Sequence, residues 1–124
     1  MERQNKHNIR KRVVITGLGI AAPNGVGIAA FAEAIQNGTS GIRHYEALGA
    51  LKFSCQLGGI PQVTDEMKRA YMSDLQLRNF NSSGILYGIM AGMEAMKQSG
   101  VPISESTPNY DLGIVFGTGT SGVD

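Results

Sequence analysis

The chain has 124 residues, of which 42% are apolar and 17% charged, and its net charge is +1. These values are typical of one soluble globular domain, and the near-neutral charge excludes a general electrostatic field for nucleic acid or an acidic membrane. No apolar stretch reaches the roughly 20 residues of a membrane-spanning helix. The lone cysteine, Cys55, excludes an intrachain disulfide and, with only two histidines, indicates no metal site. We therefore expect a cytoplasmic protein without a cofactor.

The first residues predict a basic leader. Residues 1–11 carry several lysines and arginines without apolar periodicity, which indicates a disordered segment. A secretory signal peptide is the alternative, but the following run contains Thr16, Gly17 and Gly19 instead of a leucine-rich core.

A strand, a turn and a helix come next. Residues 13–16 are apolar and β-branched without alternation, which predicts a short strand buried on both faces of a layered sheet. Pro23-Asn24-Gly25 is a turn sequence. Residues 27–37 then predict a helix that ends at Gly38, with its apolar positions at helical spacing: Ile28, Phe31 and Ile35.

The middle of the chain predicts weaker elements. Phe53, Cys55 and Leu57 alternate with polar residues, as in a half-buried edge strand. Thr64 precedes two acidic residues, which is a helix-start signal, and residues 67–72 predict one or two helical turns.

The strongest predicted helix runs from Ser82 or Ser83 to Ser99 and ends at Gly100. Its apolar positions recur at steps of four and three: Ile85, Ile89, Met93 and Met96. Glycines also recur every fourth residue, at Gly84, Gly88 and Gly92. Each glycine costs about 1 kcal/mol of helix propensity relative to Ala, so we expect a sheet or a second subunit to pack closely against this ridge.

Residues 112–116 predict a second buried strand, which leads into the glycine-rich turn 117–122. Because a buried strand and turn need a further element to cover them, we expect the chain to be the front part of a longer protein.

Two glycine clusters raise the alternative of a small nucleotide-binding domain. Gly17, Gly19 and Ala22 fit G-x-G-x-x-A, but that site needs a helix that begins at the second glycine, where Pro23 would disrupt it. The later cluster, residues 117–122, has no helix after it. Tight turns account for both clusters without a ligand, and dinucleotide binding stays a minor alternative.

Four stretches together resemble one family, the β-ketoacyl-acyl-carrier-protein synthases. They are RVVITGLGIAAPNG, FAEAIQNGTSGI, AGMEAMKQSGV and LGIVFGTGTSG, and they occur in the order and at about the spacing of the N-terminal part of those enzymes. The resemblance spans residues 12–122 and implies an α/β, thiolase-like fold with a layered α-β-α-β-α arrangement. It also implies acyl carrier protein as a partner, and a homodimer or a heterodimer with a ketosynthase-like subunit.

The same resemblance implies a decarboxylative Claisen condensation in fatty-acid or polyketide synthesis. In the family a cysteine takes the acyl group from a carrier thioester, and two histidines and a lysine assist the condensation. We expect that cysteine beyond Asp124, so residues 12–124 would be the N-terminal part of the domain and inactive alone. Cys55 lacks a helix start after it, which predicts a structural thiol, and His44 is interpreted as a surface or loop histidine.

The resemblance places one binding segment in this chain. Gly119 and Thr120 fall in a turn that approaches the acyl pocket in the family, and Thr120 is polar where many members carry an apolar residue. This difference predicts a shorter or more polar acyl chain, or an incomplete pocket. A non-catalytic partner subunit of the same fold, similar to a chain-length factor, is the alternative to an enzyme.

Overall fold

A computed structural model describes residues 12–79, 82–102, 104 and 106–117. These residues form five helices and four two-residue strands. In chain order they are β1 (Ala21–Ala22), β2 (Gly25–Val26), α1 (Ile28–Gln36), β3 (Arg43–His44), α2 (Glu46–Ala50), β4 (Leu57–Gly58), α3 (Asp65–Arg69), α4 (Asp74–Asn79) and α5 (Ser83–Ser99). The predicted leader, residues 1–11, lies outside the described residues.

The predicted turn joins β1 and β2 into an antiparallel hairpin. Ala21 pairs with Val26, and Ala22 pairs with Gly25, which leaves Pro23 and Asn24 as the two turn residues. The Gly27 amide then donates to the Ile20 carbonyl at 2.8 Å, and α1 begins at the next residue. The prediction of a turn followed by a helix over residues 27–37 is confirmed.

Local capping signals place the start of α3 and the end of α5 as predicted, whereas the helical turns predicted over residues 67–72 are displaced to Asp65–Arg69, and α4 had no sequence prediction. The Thr64 hydroxyl accepts a hydrogen bond from the Met67 amide at 3.2 Å, which caps α3. Gly100 ends α5 in the left-handed conformation, with φ of 66°. This position favours glycine because a Cβ would clash with the following carbonyl.

The apolar core is small and is centred on α5. Leu86 and Met90 of this helix pack with Met72, and four half-buried residues surround them: Val26, Val63, Leu77 and Ile89. The predicted apolar face was partly wrong, since Ile85 and Met93 are 43% and 50% exposed. The buried face is displaced by about one residue, since Leu86 and Met90, each one residue after a predicted position, pack with Met72.

Helix α1 also buries a different residue from those predicted. Ala34 is its buried position, whereas Ile35 is 59% exposed. Among the described elements, α1 lies mainly against β2 of the hairpin beside it.

Both predicted buried strands are absent from the described structure. Residues 13–16 and 112–116 have no strand pairing, and Val13 and Val115 are 94% and 100% exposed. A buried strand requires paired neighbours and covering layers, and the described residues form only the β1–β2 and β3–β4 sheets. The described arrangement is therefore mixed helix and strand, without a layered sheet.

The predicted edge strand at Phe53, Cys55 and Leu57 is confirmed only at its end. Leu57 pairs with His44, whereas Phe53 donates its amide to the Leu48 carbonyl behind α2. Lys52, with φ of 60°, turns the chain there, and this turn prevents a longer strand.

Candidate functional site

Gly17 and Gly19 lie directly against the backbone of α5. A Cβ at Gly17 would overlap the Ala95 carbonyl, and a Cβ at Gly19 would overlap the Ala91 carbonyl. Neither glycine has a positive φ, so the absence of a side chain, and not an unusual backbone conformation, is what the position requires. These glycines allow residues 17–27, which we call the strap, to lie on the helix.

Side chains of α5 accept the amides of the strap and of the helix that follows it. The Leu18 amide donates to Gln98 Oε1. The Ile20 amide donates to Glu94 Oε2 at 3.1 Å, and the Ile28 amide donates to Glu94 Oε1 at 2.8 Å. One carboxylate therefore joins the start of the strap, the start of α1 and the middle of α5.

This geometry argues against a nucleotide at the first glycine cluster. A pyrophosphate site needs a helix that begins at Gly19, but α1 begins at Ile28, beyond the Pro23 turn. The N-terminus of α1 already carries the Glu94 carboxylate, whose charge would repel a phosphate. The steric interpretation of Pro23 is confirmed.

Sequence reasoning missed Glu94 and Gln98. Both partners of Glu94 are far away in sequence, since Ile28 lies 66 residues and Ile20 lies 74 residues before it. A usable signal is the combination of two acceptors four residues apart on a helix with Ala91 and Ala95 on the same side.

An open groove of about 800 Å³ lies between α3, α4 and the start of α5. Its charged lining residues are Asp65, Lys68, Arg69, Asp74 and Arg78. Two ion pairs compensate most of this charge, because Lys68 Nζ lies 2.9 Å from Asp65 Oδ1 and Arg69 Nε lies 3.2 Å from Asp74 Oδ1.

The Lys68 contact also alters an acid in the groove. Its hydrogen bond and its positive charge hold the pKa of Asp65 below the ordinary value. Three cations and two carboxylates leave one net positive charge among the described lining residues of the groove.

The predicted substrate-binding residues, Gly119 and Thr120, lie outside the described residues. The described chain reaches Gly117, and Phe116 before it lies over α5. A Cβ at Gly88 would come within 2.6 Å of Phe116 Cζ, whereas a Cβ at Gly92 would meet no described atom within 4 Å. A side chain therefore packs closely on the glycine ridge at Gly88, but it comes from an irregular segment, and the predicted packing of a sheet or a second subunit is not seen in the described residues.

Cys55 and His44 have no catalytic arrangement in the described chain. The Cys55 thiol is exposed and lies 3.8 Å from its acceptor, the Leu57 carbonyl. His44 is exposed in β3, as predicted for a surface histidine, and its Nε2 lies 2.8 Å from Gln56 Oε1.

Across residues 12–79, 82–102, 104 and 106–117, no group of three metal-ligating side chains occurs. Within the same ranges no helix has the length and apolar character needed to span a membrane.

Comparison with known families identifies the class of protein. The family described as "Beta-ketoacyl synthase, N-terminal domain" matches residues 10–123. Because the match covers nearly the whole chain, the chain belongs to the β-ketoacyl synthase family through this N-terminal domain.

Relatives from fatty-acid and polyketide systems agree with that assignment. The chain is 35% identical over 115 residues to 3-oxoacyl-[acyl-carrier-protein] synthase 2 of Vibrio harveyi, an alignment that covers 93% of this chain and 27% of that protein. It is 30% identical over 115 residues to the granaticin polyketide putative beta-ketoacyl synthase 2 of Streptomyces violaceoruber, covering 93% and 27%. It is 29% identical over 117 residues to the tetracenomycin polyketide synthase ketoacyl synthase alpha subunit of Streptomyces glaucescens, covering 92% and 26%.

Proposed function

We propose that residues 12–124 are the N-terminal portion of a β-ketoacyl-acyl-carrier-protein synthase of fatty-acid or polyketide assembly. The observation that carries this proposal is the family match over residues 10–123, together with relatives named as acyl-carrier-protein synthases and polyketide ketosynthases. Those relatives are longer, since the chain spans 27% of the Vibrio harveyi protein. The activity therefore belongs to a larger protein in this proposal, with acyl carrier protein as its partner.

The proposed reaction is a decarboxylative condensation of two thioesters. A cysteine thiolate takes the acyl group and releases the carrier thiol; the malonyl unit then loses CO₂, and its carbanion attacks the acyl carbonyl and expels the cysteine. An activated thiolate requires hydrogen-bond donors or a helix N-terminus. Cys55 instead contacts the carbonyl oxygen of Leu57, which supports a nucleophile elsewhere in the protein.

The proposal extends to the fold, the acyl site and the assembly. We propose that residues 13–16 and 112–116 become paired strands in the layered thiolase-like fold of the complete protein, and that Gly119 and Thr120 contact the acyl chain. The exposed apolar side chains of residues 13–16 and 112–116 support the proposed strand pairing, since Val13 and Ile114 are 94% and 91% exposed. We further propose a cytoplasmic location, with the one cysteine and the bacterial relatives as support, and a dimer, which rests on the family resemblance alone.

The test uses the complete protein with acyl and malonyl carrier-protein thioesters. The expected products are CO₂ and a 3-oxoacyl thioester, and mass spectrometry of the trapped acyl-enzyme is expected to find the acyl group on a cysteine other than Cys55. Cys55→Ser is the matched control and should keep full activity. Acylation of Cys55 itself would contradict the proposed position of the nucleophile.

The same assay tests the alternative of a non-catalytic partner subunit. A complete protein that is not acylated and does not condense, but restores condensation by a ketosynthase-like subunit, would be the partner. A protein inactive under both conditions would contradict both proposals.

A further inference from the structure

Helix α1 lacks the features that stabilise a short helix locally. Its N-cap residue, Gly27, provides no side-chain cap, and its first turn contains no acidic residue. The helix has 9 residues, with Ala34 as its buried position. Isolated helices shorter than about 12 residues are marginal in water even with good sequences. Helix α1 must therefore be stabilised from outside.

The external cap comes from Glu94 on α5. Oε1 of this carboxylate accepts the Ile28 amide at the first position of α1, and Oε2 accepts the Ile20 amide at the start of the hairpin. The negative charge lies at the end of α1 where the helix dipole is positive. The contact thus supplies both the missing cap and the missing acidic charge.

Gly27 makes room for this contact. It has φ of 88°, and a Cβ there would lie 3.3 Å from Glu94 Oε1. Any other residue would be strained and would also crowd the carboxylate. The positive φ of Gly27 and the absence of a side chain there therefore both favour the contact between Glu94 and the start of α1.

Gln98 extends the contact by one helical turn. It accepts the Leu18 amide, while Glu94 accepts the Ile20 amide. Two residues of extended chain span about 6.6 Å, and four residues of helix rise about 6 Å, so alternate amides of the strap match successive turns of α5. The close approach at Gly17 and Gly19 brings the amides within reach.

We propose that Glu94 is a latch: its two hydrogen bonds make the strap and α1, residues 17–36, pack on α5 as one cooperative unit. The unit closes on α5 when both carboxylate oxygens are occupied. It opens as one body when the carboxylate is lost, which also removes Val26 from the core, while Leu86 and Met90 of α5 keep their contact with Met72. This inference does not depend on the proposed enzymatic function.

Amide hydrogen exchange in the full chain tests the latch. Glu94→Ala should accelerate exchange throughout Ile28–Gln36 by about tenfold to a hundredfold, the range expected for losing hydrogen bonds to a charged group, and should change exchange in α5 by less than about threefold. Glu94→Gln keeps one acceptor oxygen and presents a donor to the other amide, so its effect should be intermediate. Glu33→Gln is the matched control, because Glu33 is an exposed carboxylate of α1, and it should leave exchange unchanged.

Two further variants separate the latch from general destabilisation. Gln98→Ala should accelerate exchange at Leu18 and leave α1 within about threefold of the unaltered chain, because Glu94 still caps α1. Gly27→Ala should reproduce the Glu94→Ala pattern. Equal loss of protection in α1 and α5, global unfolding of every variant, or unchanged exchange in α1 would each overturn the proposal.

Discussion

The phenyl ring of Phe116 lies over Gly88, and this contact distinguishes Gly88 from the other glycines of α5. Alanine at either Gly88 or Gly92 improves helix propensity by about 1 kcal/mol. At position 88 the added methyl must displace a ring, whereas at position 92 it would meet none of the described residues within 4 Å.

We therefore expect Gly92→Ala to raise the free energy of unfolding by about 1 kcal/mol, and Gly88→Ala to raise it less or to lower it. Urea denaturation of the two variants measures the difference. Equal stabilisation by both substitutions would show that Phe116 does not pack on Gly88.

Gly19→Ala should destabilise the chain by about 1 to 3 kcal/mol, because the new methyl would overlap the backbone of α5 at Ala91, which cannot move aside as a side chain can. Gly113→Ala is the matched control, since a Cβ there would meet none of the residues that the structure describes within 4 Å. Thermal unfolding followed by circular dichroism compares them. A harmless alanine at position 19 would contradict the close approach of the strap.

The pH dependence of α3 should follow Asp65. The hydrogen bond and charge of Lys68 lower the folded-state pKa of Asp65. A depressed pKa means that the contribution to stability is present above the ordinary carboxyl value and is lost as the pH falls through the lower, folded value.

A carbon-13 NMR titration of the Asp65 carboxyl should show this pKa rising towards its ordinary value in Lys68→Met. Lys97→Met, which removes an exposed charge from α5, should leave the Asp65 titration where it was. If the midpoint is the same with and without Lys68, the ion pair does not form in solution.

Thr120→Ile in the complete protein should alter the preference among acyl chain lengths by about tenfold in kcat/KM, the effect typical of one methylene group in an apolar pocket. Condensation rates across acyl-carrier thioesters of increasing length measure the change. Thr107→Ile, in an exposed loop, is the control. An identical length profile would remove Thr120 from the acyl site.

The 124-residue chain alone should self-associate, because residues 13–15 and 114–116 expose apolar side chains in two groups. Val115→Lys should reduce the association seen in sedimentation velocity. Ile35→Lys, at a singly exposed isoleucine on α1, should not. A monodisperse monomer at micromolar concentration would contradict the expectation.

Elements with local signals were predictable from the sequence. Thr64 and the acidic pair after it start α3, Gly100 ends α5, and Pro23-Asn24 forms the hairpin turn. Each signal acts within a few residues through capping or backbone restriction, so the sequence nearby contains the necessary information.

Elements that depend on distant partners were not predictable. The β-branched residues 13–16 favour a strand, but strand pairing needs a neighbour that the described residues do not provide. The buried face of α5 is set by Met72, and the role of Glu94 depends on amides more than 60 residues away. The predicted acyl site at Gly119 and Thr120 lies outside the described residues and stays a prediction.

Helix α5 carries contacts from both ends of the described chain, with the strap on one part of its surface and Phe116 on another. The strap and the segment around Phe116 therefore both depend on α5 for these contacts. We expect either peripheral segment to detach while the helix persists, and melting of the helix to release both together. Substitutions along this one element should therefore propagate further than substitutions anywhere else that the structure describes.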